Sequence, residues 1–381
     1  MRTPRPVKPT QLLAALSLAG ISTLAGAVDF SYSGFANLSA SKVISGSGED
    51  IGYPEPTQWS NCPCFISDFS HGTVIENKWS LAPESRLGLQ GNWTFDDKWS
   101  FTAQGMARHA AKKAKVELEW AYLSYNLTPQ WTIQAGRKRL PLFLYSDFQD
   151  VSFAYNWVRV PPDVYGWAVV NYNGANITYR SDIAGWAVKS NAYIGQEHTK
   201  DNPINRLASP TPTDIDWDNM WGVDLEVNRD WFTARIAYNK SKQRMTQNGV
   251  QVSPDPTQFG RSSPQSFLAL SLGIDKGDWI ARSEMSKVDR SPARGSYYGF
   301  LLGVGYRIDK FTPMITFSQL KAYDNAFETL QEKDRLIGLT LRYQLSDSSS
   351  LKAQYDRSRW DYLNGTDTVR KVVTVSYDVV F

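Results

Sequence analysis

Apolar and polar side chains alternate along most of this chain with a period of two, the spacing of a strand with two unlike faces rather than of a helix. Leu87, Leu89, Trp93 and Phe95 alternate with Gly88, Gln90, Asn92 and Thr94; Asp96-Asp97-Lys98 turns the chain, and Trp99, Phe101, Ala103 and Gly105 resume on the first face. This unit, two alternating strands about a tight polar turn, returns at Thr128 to Trp131, Asp182 to Trp186, Asn228 to Trp231, Lys276 to Trp279, Asp309 to Phe311 and Ser346 to Leu351. Six of the seven turns are followed at once by Trp or Phe. A soluble sandwich has no reason to place a ring at the same point of successive hairpins, whereas the boundary of water and lipid favours rings there.

The pattern predicts sixteen strands, at about 29–43, 83–95, 99–109, 115–127, 131–138, 164–180, 186–195, 217–228, 231–241, 266–275, 279–287, 297–308, 311–320, 335–345, 351–360 and 369–381. Eight longer connections alternate with the seven tight turns, so both chain ends fall on the tight-turn side and the last strand can pair with the first. That closure removes the open edge that lipid forbids. The expected fold is therefore all-β, a 16-stranded antiparallel transmembrane β-barrel over residues 28–381.

Parity then sorts the side chains. On the later strands the outward set is large and apolar, as in Val223, Leu225 and Val227, Leu268, Leu270 and Leu272, or Ile337, Leu339 and Leu341. The inward set includes Asp224, Glu226, Arg235, Asp275, Arg307, Arg342, Lys352 and Asp356. A charge such as Arg342 at the bilayer midplane would cost about 2–4 kcal/mol, so the polar set is expected to line water, with Asp224, Glu226, Arg235, Arg307 and Arg342 in the lumen. The early strands differ, with small outward residues at Gly34, Ala36, Ala40, Gly91, Ala103, Gly105, Ala107, Ala121 and Ala135. Such a flat wall suits a subunit contact through the N-terminal strands; local bending and tight strand packing are the alternative.

The first 27 residues read as a cleaved secretory signal peptide. Arg2, Arg5 and Lys8 precede an apolar stretch from Leu12 to Leu24, too short to span a membrane, and Ala25-Gly26-Ala27 is a cleavage pattern. Of 41 Lys+Arg against 38 Asp+Glu, the leader takes three basic residues and no acid, so the exported chain is charge-balanced and nothing favours a nucleic-acid partner. Cys62 and Cys64 flank Pro63; a local disulfide and a metal site are both open there, the first favoured because the only nearby histidine is His71. No metal, cofactor or catalytic residue is expected. The three histidines, His71, His109 and His198, stand in no nucleophile motif.

Two segments carry a resemblance. The chain closes on Val373, Val375, Tyr377, Val379 and Phe381 alternating with polar partners, which resembles the signal, usually ending in phenylalanine, by which outer-membrane barrels are recognised for assembly. Between the fifth and sixth strands runs GRKRLPLFLYSDFQDVSFAYNWVRVPPDVYG, Gly136 to Gly166, with seven aromatics and Pro161-Pro162. Together they resemble the Gram-negative outer-membrane porin superfamily, 16-stranded and trimeric, although the Pro-Glu-Phe-Gly-Gly type segment of general porins is missing.

The resemblance implies short periplasmic turns, long extracellular loops and an inward-folded third loop, about 137–163, that narrows a water-filled channel for passive diffusion of ions and small hydrophilic solutes. It implies an outer-membrane location, a homotrimer, contact with lipid and lipopolysaccharide, and delivery by the barrel-assembly machinery through Tyr377 and Phe381. Arg86, Arg108, Arg137, Lys138, Arg139, Asp147, Asp150, Arg159 and Asp163 are the candidate constriction residues. Asp147 and Asp150 are expected either to face Arg86 and Arg108 across the opening or to make salt bridges that hold the loop to the wall. The loop rings Tyr145, Phe148, Phe153, Tyr155 and Trp157 are either a stacking track for sugars or packing. A channel selective for a sugar, an anion or an organic acid is the alternative function, with a barrel enzyme, or an adhesin using Ile44 to Ala82, behind it.

Overall fold

The computed structural model describes residues 28–47, 63–290, 295–324, 329–362 and 367–381. The expected leader and Cys62 lie outside them. Strand β1 is Asp29–Ser47, and a small hairpin follows, β2 (Phe65–Asp68) and β3 (Thr73–Ile75). The wall continues with β4 (Arg86–Thr94), β5 (Trp99–Ala110), β6 (Lys113–Asn126), β7 (Trp131–Arg139), β8 (Asn171–Ile183), β9 (Trp186–Thr199), β10 (Thr213–Arg229) and β11 (Phe232–Gln247). After the short β12 (Val250–Ser253) come β13 (Ser263–Lys276), β14 (Trp279–Asp289), β15 (Ser296–Tyr306), β16 (Phe311–Asp324), β17 (Thr329–Ser346), β18 (Ser349–Tyr362) and β19 (Asp367–Val380). Setting aside the β2–β3 hairpin and β12, which only extends the β11 hairpin, sixteen antiparallel strands form the wall.

The wall closes because β1 pairs with both β4 and β19, in register from Phe35 opposite Val380 to Ser47 opposite Val369. Phe381 completes the seam: its amide donates to the Gly34 carbonyl at 2.9 Å and its carbonyl accepts from the Gly34 amide at 2.7 Å. The Phe381 ring covers the outer face of Gly34, where a Cβ would lie 2.5 Å from the ring, so this position has room only for hydrogen.

All seven tight turns form as expected. Asp230, Gly277 and Asp309 take positive φ, as tight hairpins demand. The rings that follow the turns pair directly across strands: Trp99 with Tyr125 at 4.6 Å, Trp131 with Tyr179 at 4.7 Å, Trp279 with Tyr306 at 4.9 Å and Phe311 with Tyr343 at 4.7 Å between centroids. These couples, each with at least one exposed ring, form an aromatic belt at one rim of the barrel.

Several boundaries differ from the alternation pattern. The connection expected to be long between β5 and β6 is a two-residue turn, Ala111 and Lys112, both at positive φ. The sixth wall strand begins at Asn171 rather than 164, because Val164, Tyr165 and Trp167 pack into the preceding loop instead of pairing. Arg137, Lys138 and Arg139 accordingly sit on β7, and the loop proper runs over 140–170. The first long connection folds back: Phe65, Ile66, Val74 and Ile75 are buried against Val43, Leu336, Val372, Leu207 and Trp360. Cys64, at its edge, is disulfide-bonded.

Parity sorts the wall as expected, with Leu225, Ile236, Leu270, Leu302 and Leu339 exposed outward. Leu339→Arg is expected to lower barrel stability by about 2–4 kcal/mol, whereas Gln104→Arg, on the inner face, costs little. Urea unfolding in lipid vesicles measures both.

Candidate functional site

The interior is not uniformly wet. Loop 140–170 crosses it and packs its apolar side chains, Leu140, Leu142, Phe143, Tyr145, Trp157, Val160 and Val164 among them, on inward residues of one side of the wall, including Trp217, Phe267, Leu301 and Met314. Phe267-Leu268-Ala269-Leu270 is apolar on both faces for this reason, one face meeting lipid and the other the loop. The loop has no regular structure beyond two single turns, Ser146–Phe148 and Ser152–Ala154, so its backbone groups must find partners in the wall. Glu284 accepts from the Leu144 amide at 3.0 Å, Gln354 from the Val158 amide at 2.7 Å, and Arg235 donates to the carbonyls of Phe143 and Pro141 at 3.1 and 3.2 Å.

Two ionic clusters pin its flanks. Asp150 receives Arg86 at 2.8 Å, Arg108 at 3.0 Å and Arg139 at 2.6 Å, with Glu119 balancing the last two. Burial alone would push its carboxyl up, but Arg108, Arg139 and Arg86 together hold it well below the usual carboxylate range. Arg159 forms the second cluster with Glu84 at 2.8 Å, Asp356 and Thr374, beneath the Phe65 ring. Of the two expectations for the loop acids, salt bridging therefore holds for Asp150, which touches Arg86 and Arg108 with no opening between them. Asp147 meets neither; it binds Lys189 at 3.1 Å.

His71 joins the first cluster from the β2–β3 hairpin, its Nδ1 2.7 Å from Asp68 and 3.4 Å from the Arg108 guanidinium. His71, Glu117 and Glu119 converge closely enough to hold a cation, but Arg108 already sits among them.

The loop leans to one side. Glu226, Arg307 and Arg342 face a chamber of about 630 Å³ on the tight-turn side, where Arg342 stacks over Phe153 at 4.8 Å and donates to the Tyr155 carbonyl at 3.2 Å. Asp224 and Arg235 also point inward but do not line water: paired at 3.1 Å, they are 3% and 2% exposed beneath the loop. Of the rings read as a possible stacking track, Tyr145, Tyr155 and Trp157 are buried against one another. Opposite the loop's apolar face, β4 to β9 present a polar ladder, half-exposed at Gln90, Gln104 and Gln134 and buried at Asn176 and Asn191, in which Gln104 donates to Gln90, and Asn176 to Gln134 and Asn191. Lys138 lies over the Tyr122 ring at 4.6 Å on this bare wall, and Arg180 stands directly across from Lys189 on the neighbouring strand. Arg137 leaves the group, binding Glu197 at 2.9 Å.

Asp163 is the exception among the loop acids. Its carboxylate accepts from the Ser318 hydroxyl at 2.7 Å and meets no basic partner among the described residues, so burial pushes its pKa up to about 6.

A family model described as Gram-negative porin matches residues 13–361. A search of curated proteins finds no match. Among solved structures, the outer membrane channel DcaP of Acinetobacter baumannii is 13% identical, with a TM-score of 0.61 over 96% of this chain and 100% of that one. The anion-selective porin from Comamonas acidovorans is 10% identical, TM-score 0.53, over 93% and 100%. The trimer form of in-vitro folded OmpT, an outer membrane protein of Vibrio cholerae, is 10% identical, TM-score 0.52, over 93% and 100%. At these identities the structures share a fold.

Because the pKa of Asp163 is raised on folding, the docked loop is most stable below the usual carboxylate range and loses that contribution as pH rises through about 6. Hydrogen exchange of residues 157–165, corrected for intrinsic rate, is expected to show more protection at pH 5 than at pH 7.5. Asp163→Asn flattens that difference.

Proposed function

This chain belongs to the Gram-negative porin family and forms an outer-membrane channel for passive diffusion, and from that premise we propose that its selectivity is set on the bare side of the lumen, between Asp147 and a row of cations. Lys138, Arg180 and Lys189 stand on β7, β8 and β9, and the loop offers Asp147 alone against them, already spent on Lys189. Arg86, Arg108, Arg139 and Arg159, by contrast, are neutralised by buried acids and act as fasteners for the loop. In a narrow aqueous passage with low-dielectric walls, a row with an excess of one sign raises the barrier for ions of that sign. The passage therefore favours small anions. The Comamonas porin of similar fold is anion-selective by its own description.

The histidines are in keeping with a channel rather than an enzyme. Ser70 and Asp68 both approach the same ring nitrogen of His71, Nδ1, at 3.0 and 2.7 Å, whereas a relay from nucleophile to carboxylate needs the two ring nitrogens. His198 pairs with Asp216 on the exposed side of β9, and His109 lies on the outward parity of β5.

We also propose a homotrimer joined through β1 and β4 to β7. Their outer faces combine small residues, Ala36, Ala103 and Gly105 among them, with exposed Leu38, Leu87, Leu89 and Leu118, a knob-and-flat surface on which a second wall can sit closely.

Lys138→Glu with Lys189→Glu is expected to move the reversal potential in a KCl gradient toward cation preference in planar bilayers; no change would remove these residues from the selectivity filter. A Cβ at Gly105 meets nothing within 4 Å in the single chain, so Gly105→Trp leaves the barrel folded and is expected to shift unheated gel migration from trimer to monomer.

A further inference from the structure

The loop divides the lumen, and the chamber on its far side, away from the tight turns, has a chemistry that diffusion does not require. It encloses about 530 Å³, inside the range of small-molecule sites. Its floor is the back of the loop, at Phe143, Pro162 and Trp167; its roof includes Ile66 and Phe69 of the folded first connection and the short helix α1, Pro203–Ala208. Phe143 meets Phe267 edge-on at 5.1 Å and Trp167 meets the same ring at 5.8 Å, so three aromatic groups form a fixed corner facing the cavity.

The opposite side of this cavity is acidic. Asp163, Glu332 and Asp334 line it, and no described basic side chain makes an ion pair with any of them. Asp334 is 3% exposed and its Oδ1 has no hydrogen-bond partner. Its carboxyl is hydrogen-bonded to that of Glu332, and the buried oxygen left over without a partner is costly. One cation, Arg290, also lines the cavity and stacks on Tyr297 at 4.3 Å, while Arg370 stacks on Trp360 at 4.7 Å and donates to Thr368. Rings on one side and three acids that outnumber the single cation on the other fit one kind of guest.

We propose that the outer chamber binds an aromatic organic cation, its ring against the corner of Trp167 and Phe267 and its ammonium among Asp163, Glu332 and Asp334. An anion is repelled by the three acids. A small inorganic cation would leave the aromatic corner unused. The chamber lies apart from the cation row near Asp147, so such a guest is held in the mouth and obstructs it.

The test uses refolded full-length protein in detergent and isothermal titration calorimetry with three probes: protonated 2-phenylethylamine, 3-phenylpropionate and methylammonium. The amine is expected to bind about tenfold or more tightly than either of the others. Asp334→Asn, nearly isosteric, is expected to weaken the amine about tenfold, and Trp167→Leu to weaken it while leaving methylammonium unchanged. Equal binding of 2-phenylethylamine and 3-phenylpropionate by the wild type overturns the proposal, and so does a folded Asp334→Asn that keeps full affinity. The wild-type probe series decides the matter even if a variant does not fold. Because binding is read without current, the result stands independently of the anion preference proposed for the passage.

Discussion

In hydrocarbon no backbone N–H or C=O can be left without a partner, and every other property of this protein follows from how the sheet meets that demand. The wall has no free edge because β1 pairs on both sides, with β4 and with β19, and Phe381 carries the seam to its last residue. Once the wall is closed, alternate side chains point outward into lipid and inward into a confined space. The inward residues can then be polar without the cost of facing lipid, and that permits a water-filled interior at all.

What occupies the interior is a second folding problem solved inside the first. Loop 140–170 has almost no regular structure, so its amides and carbonyls take wall side chains, Glu284, Gln354 and Arg235, as substitutes for a neighbouring strand. Its apolar side chains bury against Phe267, Leu301 and Met314, and its charges end in the Asp150 and Arg159 clusters. Removing one partner of such a buried pair leaves the other charge stranded, at a cost of about 3–5 kcal/mol, so these clusters fix where the loop lies more than they add net stability. Of the cations left over, Lys138 and Arg180 make no ion pair with the loop among the described residues, and Lys189 meets only Asp147.

The wall was legible in the sequence because its signals are local: a period of two, turn residues, and a ring after six of the seven turns. Parity placed Leu225, Leu270 and Leu339 outward and Asp224, Arg235 and Arg342 inward, as found. Where reading failed, the cause was distant in the chain. Asp147 meets Lys189 rather than Arg86 or Arg108, and Arg159 meets Glu84 and Asp356, through loop placement that no spacing encodes. Val164 and Tyr165 look like strand residues, since alternation cannot tell pairing from packing. The folding-in of Phe65 to Ile75 had a readable trace, two short apolar runs about Ser70-His71-Gly72, but nothing local says that such a hairpin faces inward.

The lopsided placement of the loop divides the barrel mechanically. From β10 round to β19 the wall meets mainly the apolar side chains of the loop, whereas β4, β5 and β7 meet it through a few charged contacts at Arg86, Arg108 and Arg139. Where the inner face is held at only a few such points, a sheet resists bending mainly through its own cross-strand bonds, and further bracing has to come from outside the barrel. The strands with the least support within are largely those whose outer faces are flat enough for a neighbour to press against, and an assembled oligomer would lend them the rigidity that the loop gives the rest.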